Sequence, residues 1–290
     1  MKHTPHTSHP PVSYLNYNGK ILRDDKEIIK AGNRGFRYGD GLFETMKMVN
    51  GTIPLATLHF ERLMDGIQVM KFNKPAYLTA EYLSKQIFEL AKKNNNGKLV
   101  RIRLTVFRGE GGLYDAQNNV TNYIIQTWNL PGDNIVLNEN GLVIDIFPDA
   151  RIASDKFSPL KSNNYLPYVM GALYAKQNKL NDCLLLNTDG NICDATIANI
   201  FIIKGADLIT PPLSEGCVAG VMRRCIIEHP GASQLPIIEK ILSVTDLLEA
   251  EEVFLSNAIY GIRWVSRFRD AHYSNTETAR IFCSIAGIIL

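Results

Sequence analysis

The sequence has no strong excess of charge of one sign. Lys and Arg number 31 and Asp and Glu number 29 in its 290 residues, so the formal net charge is +2. Nucleic-acid binding draws its affinity from many basic side chains that neutralise phosphates, and a nearly neutral chain therefore does not favour a nucleic-acid partner. Hydrophobic residues at 46% and charged residues at 21% are ordinary globular values, which exclude a disordered or collagenous chain.

Long apolar runs and metal-binding patterns are also missing. No apolar run approaches the roughly 18 residues that span a bilayer, and the segment Met1 to Tyr17 is polar and rich in Pro and His, without the apolar core of a secretory leader. The five cysteines show no CxxC and no metal-ligand spacing. These absences predict a cytoplasmic protein with no membrane partner and no metal. The polar N-terminal segment predicts a flexible tail over residues 1–13.

The length predicts two domains, at roughly 100–200 residues for each. Turn-forming residues cluster around Asn129-Leu-Pro131-Gly-Asp-Asn and predict the boundary between a domain over 14–130 and another over 135–290. Helical and strand patterns are mixed, without the regular alternation of a TIM barrel or a doubly wound sheet. We therefore expect an α+β (α/β) fold with mostly antiparallel strands.

Local patterns predict the individual elements. Asn18-Gly19 and Asn50-Gly51 each predict a hairpin, because Asn-Gly accepts the positive φ angles of a type I′ turn. Apolar residues at helical spacing predict two helices, over about 55–70 and 83–90. Apolar and polar residues alternate over 99–107, which predicts a strand with Arg101 and Arg103 on one face. The second half predicts strands over 142–147, 183–186 and 199–203, a helix over 165–177, and a final helix that opens with a capping box at Ser274–Glu277.

Common nucleotide and hydrolase motifs are absent. Gly39-Asp-Gly41 lacks the third glycine of a dinucleotide fingerprint, and no P-loop, GxSxG or HExxH motif occurs. Composition and periodicity alone leave the function open.

Four positions become informative when they are considered together. Lys161 precedes a predicted helix, and a partly buried lysine that loses its proton can condense with a carbonyl. Arg62 lies beside the apolar stripe of a predicted helix, where it either binds a phosphate or extends into solvent. Gly220 begins another predicted helix, whose first amides form an anion site or a plain helix start. Asp194 interrupts an apolar stretch, so it is paired, exposed or functional.

These groups supply an amine for an aldehyde, a cation and helix amides for a phosphate, and an acid for a ring nitrogen. They are the groups that bind pyridoxal 5′-phosphate.

The chain resembles the fold-type IV pyridoxal-phosphate enzymes, or class IV aminotransferases. This family includes branched-chain aminotransferases, D-amino acid aminotransferases and 4-amino-4-deoxychorismate lyases. The blocks that carry the resemblance are Arg34-Gly-Phe-Arg-Tyr-Gly-Asp-Gly-Leu-Phe-Glu44, His59-x-x-Arg-Leu63, Lys161-Ser-x-Asn164, Asp194 with Asn199-Ile-Phe201, Thr210-Pro-Pro-Leu-x-x-Gly216 and Gly220-Val-Met-Arg223.

The resemblance implies a small N-terminal α/β domain, a larger C-terminal domain, the cofactor between them, and a homodimer that completes each pocket. It makes Lys161 the Schiff-base lysine and assigns the cofactor phosphate to Arg62. The backbone amides of Val221 and Met222, and a turn at Asn257-Ala258, share the phosphate.

Further roles also follow from the resemblance. Tyr165 lies near a tyrosine that stands beside the cofactor in branched-chain enzymes, and Tyr38 matches a pocket-lining tyrosine. Asp194 stands where the family usually has the longer Glu as the partner of the pyridine nitrogen. Phe43 belongs to the substrate pocket, and Arg103, with or without Arg101, either receives a substrate carboxylate or lies on a solvated sheet face.

The substrate preference stays open between two chemistries. Leu113-Tyr-Asp115 replaces the Arg-x-His pair of D-amino acid aminotransferases and counts against D-amino acids. Arg108-Gly-Glu-Gly-Gly112, Gly220-Val-Met-Arg223 and Ser256-Asn-Ala258 look more like the lyases, whereas Phe43-Glu44 is typical of the aminotransferases and occurs in some lyases. We favour an aminodeoxychorismate lyase over a branched-chain-type transaminase, and a non-catalytic homologue is the remote alternative.

Overall fold

A computed structural model describes residues 12–131, 136–229 and 231–289. The strands are β1 (Tyr14–Tyr17), β2 (Lys20–Arg23), β3 (Gly41–Val49), β4 (Leu99–Arg108), β5 (Thr121–Asn129), β6 (Leu142–Ile152), β7 (Asp182–Asn187), β8 (Ile192–Ala195), β9 (Asn199–Lys204), β10 (Asp207–Thr210), β11 (Ile237–Glu239), β12 (Glu252–Asn257), β13 (Gly261–Phe268) and β14 (Ala271–His272). The helices are α1 (Arg34–Tyr38), α2 (Ala56–Val69), α3 (Ala80–Lys93), α4 (Leu166–Gln177), α5 (Val221–Glu228), α6 (Val244–Leu248) and α7 (Thr276–Ile289).

The first half of the chain forms a five-stranded antiparallel sheet in the order β2-β1-β5-β4-β3. Helices α2 and α3 cover one face of this sheet, and their apolar stripes form a core with the inward side chains of β3, β4 and β5. The opposite face carries Phe43, Thr45 and Arg103, which leaves it free to line a cavity.

The second half forms a nine-stranded mixed sheet in the order β11-β10-β9-β12-β13-β6-β7-β8, with β14 paired to β13. Three of its strand pairs are parallel, namely β10 with β11, β13 with β6, and β6 with β7. Helices α5 and α7 pack on one face around a stacked pair of rings, Phe201 and Phe254, whose centroids lie 4.9 Å apart. Helix α4 packs against β7 near the other edge.

Several expectations from the sequence are confirmed. The first Asn-Gly turn joins β1 to β2, and the two helices predicted from apolar spacing are α2 and α3. Val100, Ile102, Leu104 and Val106 are fully buried on one face of β4, because alternate side chains of a strand point to opposite faces. The strands in the second half begin or end a few residues beyond the predicted limits.

The second predicted hairpin is wrong. Asn50 and Gly51 do take positive φ angles of 49° and 81°, but the chain then makes only a single bridge, between Val49 and Thr52, before α2 begins. Strand β3 pairs instead with β4, which is distant in sequence. Asn50-Gly51 therefore forms the predicted turn, but the partner of β3 is set by long-range pairing with β4.

The predicted capping box of the last helix is also wrong, although α7 itself forms. The backbone amides of Glu277 and Thr278 donate to the carboxylate of Glu252 at 2.9 and 2.8 Å. A buried carboxylate from β12 therefore caps α7 and replaces the local Ser274 cap.

Most of the predicted domain boundary, residues 132–135, lies outside the described residues, as does the predicted tail over residues 1–11. Within the described ranges, no helix combines the length and apolarity that crossing a bilayer requires.

Candidate active site

A cavity of about 360 Å³ lies between the two sheets. The first sheet and α2 contribute side chains to it, and the second half of the chain contributes the rest. Of the site residues predicted from sequence, twelve line this cavity: Phe43, Arg62, Arg101, Arg103, Lys161, Tyr165, Asp194, Gly220, Val221, Met222, Asn257 and Ala258.

Tyr38 is the exception, because it is not part of the lining. It ends α1, and its ring lies 5.8 Å from the ring of Tyr114. Within a single chain Tyr38 therefore does not line the cavity. Its predicted pocket-lining role would require a second copy of the chain.

Backbone pairing fixes the position of Lys161. The amide of Phe43 in β3 donates to the carbonyl of Lys161 at 2.9 Å, and the amide of Asn163 returns a bond to Gly41 at 2.9 Å. On the other side, the amide of Ala219 donates to the carbonyl of Pro159 at 3.0 Å. The lysine segment is thus held between the edge of the small sheet and the loop that precedes α5.

The Lys161 ammonium lies in an environment that favours its neutral form. Its Nζ lies 3.3 Å from the hydroxyl of Tyr165 and 4.7 Å from the ring centroid of Phe43. Burial lowers the pKa of Lys161 to about 8, and the positive charge of Arg62 acts in the same direction. A larger fraction of Lys161 is therefore nucleophilic near neutral pH than is usual for a lysine.

A buried carboxylate orients Arg62. The Nε and Nη2 atoms of Arg62 donate to the two oxygens of Glu44 at 2.7 and 2.6 Å, and the Nδ1 of His59 lies 2.6 Å from the same carboxylate. Burial alone would raise the pKa of Glu44, but the charges of Arg62 and His59 outweigh burial and lower the pKa to about 2. Glu44 is therefore ionised and holds the guanidinium in one orientation.

The remaining side of Arg62 faces the start of α5. Its Nη1 donates to the carbonyl of Ala219 at 2.9 Å, directly before Gly220, the N-cap residue of α5. No side chain caps this helix, so the amides of Val221 and Met222 are available to an anion. A Cβ at position 220 would overlap the side-chain oxygen of Asn199, so this close approach requires glycine.

Asp194 lies at another part of the cavity and is only 2% exposed. Its carboxylate accepts bonds from the amide of Val218 at 2.8 Å and from the side-chain amide of Asn199 at 2.9 Å. Burial raises the pKa of Asp194 to about 8, although the Val218 amide and the charge of Lys161 oppose this shift. A cation placed against Asp194 would favour its ionised form.

Two tyrosines line the cavity between Lys161 and Asp194. The rings of Tyr165 and Tyr168 stack with their centroids 4.3 Å apart. The hydroxyl of Tyr165 lies near Lys161, and the hydroxyl of Tyr168 lies 3.5 Å from Asp194. Burial raises the pKa of both tyrosines, so both hydroxyls keep their protons. The Tyr165 hydroxyl accepts a hydrogen bond from Lys161, and the Tyr168 hydroxyl donates to Asp194.

The small sheet presents two cations to the same cavity and carries a third, buried one beside them. Arg101 and Arg103 project from β4, and the guanidinium of Arg103 lies 4.1 Å from the ring centroid of Phe43. Lys47 is paired with Arg101 across the β3–β4 ladder, is 3% exposed, and donates to the carbonyl of Ile259 at 3.4 Å. Among the described residues, no carboxylate forms an ion pair with any of these three cations.

Sequence reasoning gave no role to Glu44, Tyr168 or Lys47. A signal existed for Glu44, since strand alternation puts it on the apolar face of β3 between Leu42 and Met46, and a carboxylate there needs a partner. Tyr168 and Lys47 carried no comparable signal, because their surroundings come from distant parts of the chain.

The family model described as "Amino-transferase class IV" matches residues 41–268. The chain therefore belongs to the class IV aminotransferase family, whose members are transaminases or lyases. It is 28% identical over 240 residues to a putative branched-chain-amino-acid aminotransferase of Methanocaldococcus jannaschii, covering 82% of each chain. It is 26% identical over 240 residues to an aminodeoxychorismate lyase of Vibrio harveyi, covering 82% of this chain and 86% of the relative.

Solved structures share the fold. A branched-chain aminotransferase from Thermoproteus uzoniensis superposes with a TM-score of 0.86 at 21% identity and covers 96% of this chain and 95% of its own. A hypothetical aminotransferase from Mycobacterium tuberculosis, determined in a form bound to pyridoxal phosphate, has a TM-score of 0.78 at 19% identity and covers 96% and 97%. The predicted mixed α/β fold is confirmed, and homologues in this family bind pyridoxal phosphate.

We expect Glu44→Ala to destabilise the protein strongly. The change leaves the buried guanidinium of Arg62 and the ring of His59 without their common partner, and breaking a buried ion pair in this way costs about 3–5 kcal/mol. Urea unfolding of the cofactor-free protein measures the loss.

Glu61→Ala is the matched control, because Glu61 lies on the outer face of α2 and pairs with Arg224 in solvent. Such exposed pairs contribute below about 1 kcal/mol. Equal losses in the two variants would contradict the central role of the Glu44 carboxylate.

Proposed function

We propose that the cavity binds pyridoxal 5′-phosphate and that the chain is a 4-amino-4-deoxychorismate lyase. The donor set fits the cofactor. Arg62 and the free amides of Val221 and Met222 suit a phosphate, Lys161 suits an aldehyde, and Asp194 suits a protonated ring nitrogen.

Each of these residues would have a separate role toward the bound cofactor. When bound, the cofactor supplies an aldehyde that condenses with amines and a ring that accepts electrons from the adjacent C–H bond. Lys161 would hold the aldehyde, and its Nζ would serve as the base for the proton of that C–H bond. Asp194 keeps the ring nitrogen protonated, either directly or through a water. The Tyr165 hydroxyl lies 3.3 Å from the side-chain nitrogen of Lys161 and would orient that nitrogen.

The substrate divides into two products. After the proton is removed, the enolpyruvyl group leaves as pyruvate, and the ring that remains becomes aromatic p-aminobenzoate. The atoms of the substrate equal those of the two products, so the reaction consumes no water, oxidant or second substrate. Aromatisation supplies the driving force.

One observation carries this substrate assignment, namely the cations on the cavity face of β4. The substrate has two carboxylates, and Arg101 and Arg103 face the cavity without an ion-pair partner among the described residues. Guanidinium groups bind carboxylates bidentately. The buried ammonium of Lys47 adds positive charge beside Arg101. An anionic substrate would compensate all three charges.

The alternative is an amino-acid transaminase of the branched-chain type. Apolar side chains line part of the cavity, including Phe43, Val169 and Ile259, and they suit an aliphatic side chain. In that reaction Lys161 would move the same proton without loss of a carbon fragment, and a 2-oxo acid would have to accept the amino group. The need for an acceptor separates the two reactions.

We also propose a homodimer built on α4. Leu166, Val169, Met170 and Leu173 are 44–67% exposed on one side of this helix, while Tyr168, Gly171 and Ala175 are buried on the other. A helix that is apolar on all sides is normally covered. A second copy would cover the exposed stripe. The division into domains over 14–130 and 135–290 is likewise a proposal.

The proposed cofactor should give a coloured protein. Reconstituted wild type is expected to absorb in the visible range and to lose that band with borohydride, and Lys161→Ala should form no such bond. Because only a neutral amine attacks an aldehyde, the rate of attachment should rise with pH and level off above about 8, following the lowered pKa of Lys161. A rate still rising tenfold per pH unit at pH 10 would contradict this, and a colourless wild type would favour the non-catalytic alternative.

The lyase assignment predicts stoichiometric pyruvate release from aminodeoxychorismate in the absence of any 2-oxo acid. Pyruvate is measured with a coupled dehydrogenase, and p-aminobenzoate by chromatography. A strict acceptor requirement with leucine or glutamate would establish the transaminase instead.

Arginine variants test the substrate assignment in the same assay. Arg103→Gln should raise the KM for the two-carboxylate substrate by about tenfold or more, since a charge-assisted bond contributes about 1.5–3 kcal/mol. Arg280→Gln is the control, because Arg280 lies exposed on α7. An unchanged KM in Arg103→Gln would remove the support that the cations give to this substrate.

The dimer predicts twice the mass of one chain in sedimentation velocity. Leu173→Glu places a charge in the proposed interface and should give a single-chain mass. Leu248→Glu, at a similarly exposed leucine of α6, should stay dimeric. A monomeric wild type would overturn the proposal.

A further inference from the structure

A hydroxyl without a partner lies beside the cavity. Ser256, near the end of β12, is 1% exposed and lines the cavity, and its Oγ forms no hydrogen bond within the described part of the chain. Leaving a buried polar group unpaired costs about 1–3 kcal/mol. A ligand that accepts a hydrogen bond at this position would remove that cost.

The strand geometry sets the direction of this hydroxyl. Side chains two residues apart on a strand share a face, and Phe254 packs with Met222 in the core between β12 and α5. Ser256 therefore lies on the α5 side of β12. It is also paired in register with Asn199, whose side chain closely approaches Gly220 at the N-terminus of α5. The hydroxyl thus lies on the side of the sheet where α5 begins, and Val221 and Met222 at that helix start line the same cavity.

The neighbouring Asn257 is already engaged in shaping the turn. Its side-chain oxygen accepts from the amides of Ile259 and Tyr260 at 3.0 and 2.9 Å, and its side-chain nitrogen donates to the carbonyl of Ile197 at 3.3 Å. The Asn257 side chain is occupied in shaping the turn. Ser256 differs in that its buried hydroxyl forms no hydrogen bond with any described residue.

We propose that Ser256 donates its hydroxyl hydrogen to the phosphate of the bound cofactor, beside the amides of Val221 and Met222 and the guanidinium of Arg62. A phosphate presents acceptor oxygens, and the guanidinium, the two amides and the hydroxyl can all donate to it. The inference rests on the proposed cofactor and adds to the predicted phosphate contacts a residue that the sequence did not indicate.

Ser256→Ala separates the phosphate from the rest of the cofactor when two ligands are compared. We expect the Kd for pyridoxal 5′-phosphate, measured by absorbance titration of the cofactor-free protein, to rise by about tenfold, as for loss of one charge-assisted hydrogen bond. The Kd for pyridoxal, which has no phosphate, should change less than about twofold. Ser256→Thr should retain wild-type affinity for both ligands. The phosphorus NMR shift of the bound phosphate should change in Ser256→Ala.

Ser284→Ala is the matched control, because this helix α7 serine donates to the carbonyl of Ala232 away from the cavity. It should leave both Kd values unchanged. The melting temperature of the cofactor-free Ser256→Ala protein should equal or exceed that of wild type, since no bond is lost.

If Ser256→Ala raised the Kd values of both ligands equally, or raised neither, the proposed role of this hydroxyl would be overturned. A wild type that binds pyridoxal as tightly as its phosphate ester would instead overturn the proposed phosphate site. The two failures are therefore distinguishable.

Discussion

The buried carboxylate of Glu44 is the interaction on which the rest of the site depends. It belongs to the small sheet, yet through Arg62 it reaches the carbonyl of Ala219, which belongs to the second half of the chain. A single ionised group thereby orients a cation and joins two sheets. Because Glu44 is 1% exposed, no water replaces its bonds when a partner is lost. The shape of the cavity and the direction of its principal cation are consequently set together.

The loop before α5 transmits this constraint to the other groups. The amide of Val218 binds Asp194, and Ala219 uses its carbonyl for Arg62 and its amide for Pro159, two residues before Lys161. Successive backbone groups therefore locate the acid, the cation and the amine. Because these are backbone groups, the bonds do not depend on the side chains of Val218 and Ala219.

The sequence predicted the residues that meet in the cavity better than it predicted what holds them there. Lys161, Arg62 and Asp194 were found because their residue types and order match a known set. Their partners were harder to find, since the Glu44 carboxylate, the Tyr168 ring and the Pro159 carbonyl come together only in the folded chain. The same reason accounts for the errors in the fold. Asn50-Gly51 forms its turn and Thr276–Ile289 its helix, but long-range contacts with β4 and Glu252 decide how each is used.

The charges of the cavity divide it into two regions with different consequences. Around the proposed cofactor position, Glu44 and Arg62 compensate one another, and burial shifts Lys161 and Asp194 toward their neutral forms. On the small sheet, Lys47, Arg101 and Arg103 have no acidic partner among the described residues. A compensated region keeps its geometry whichever substrate enters, whereas an uncompensated region favours the ligand that supplies the missing charge. Changes confined to β3 and β4 can therefore alter the substrate while the chemistry near Lys161 stays the same.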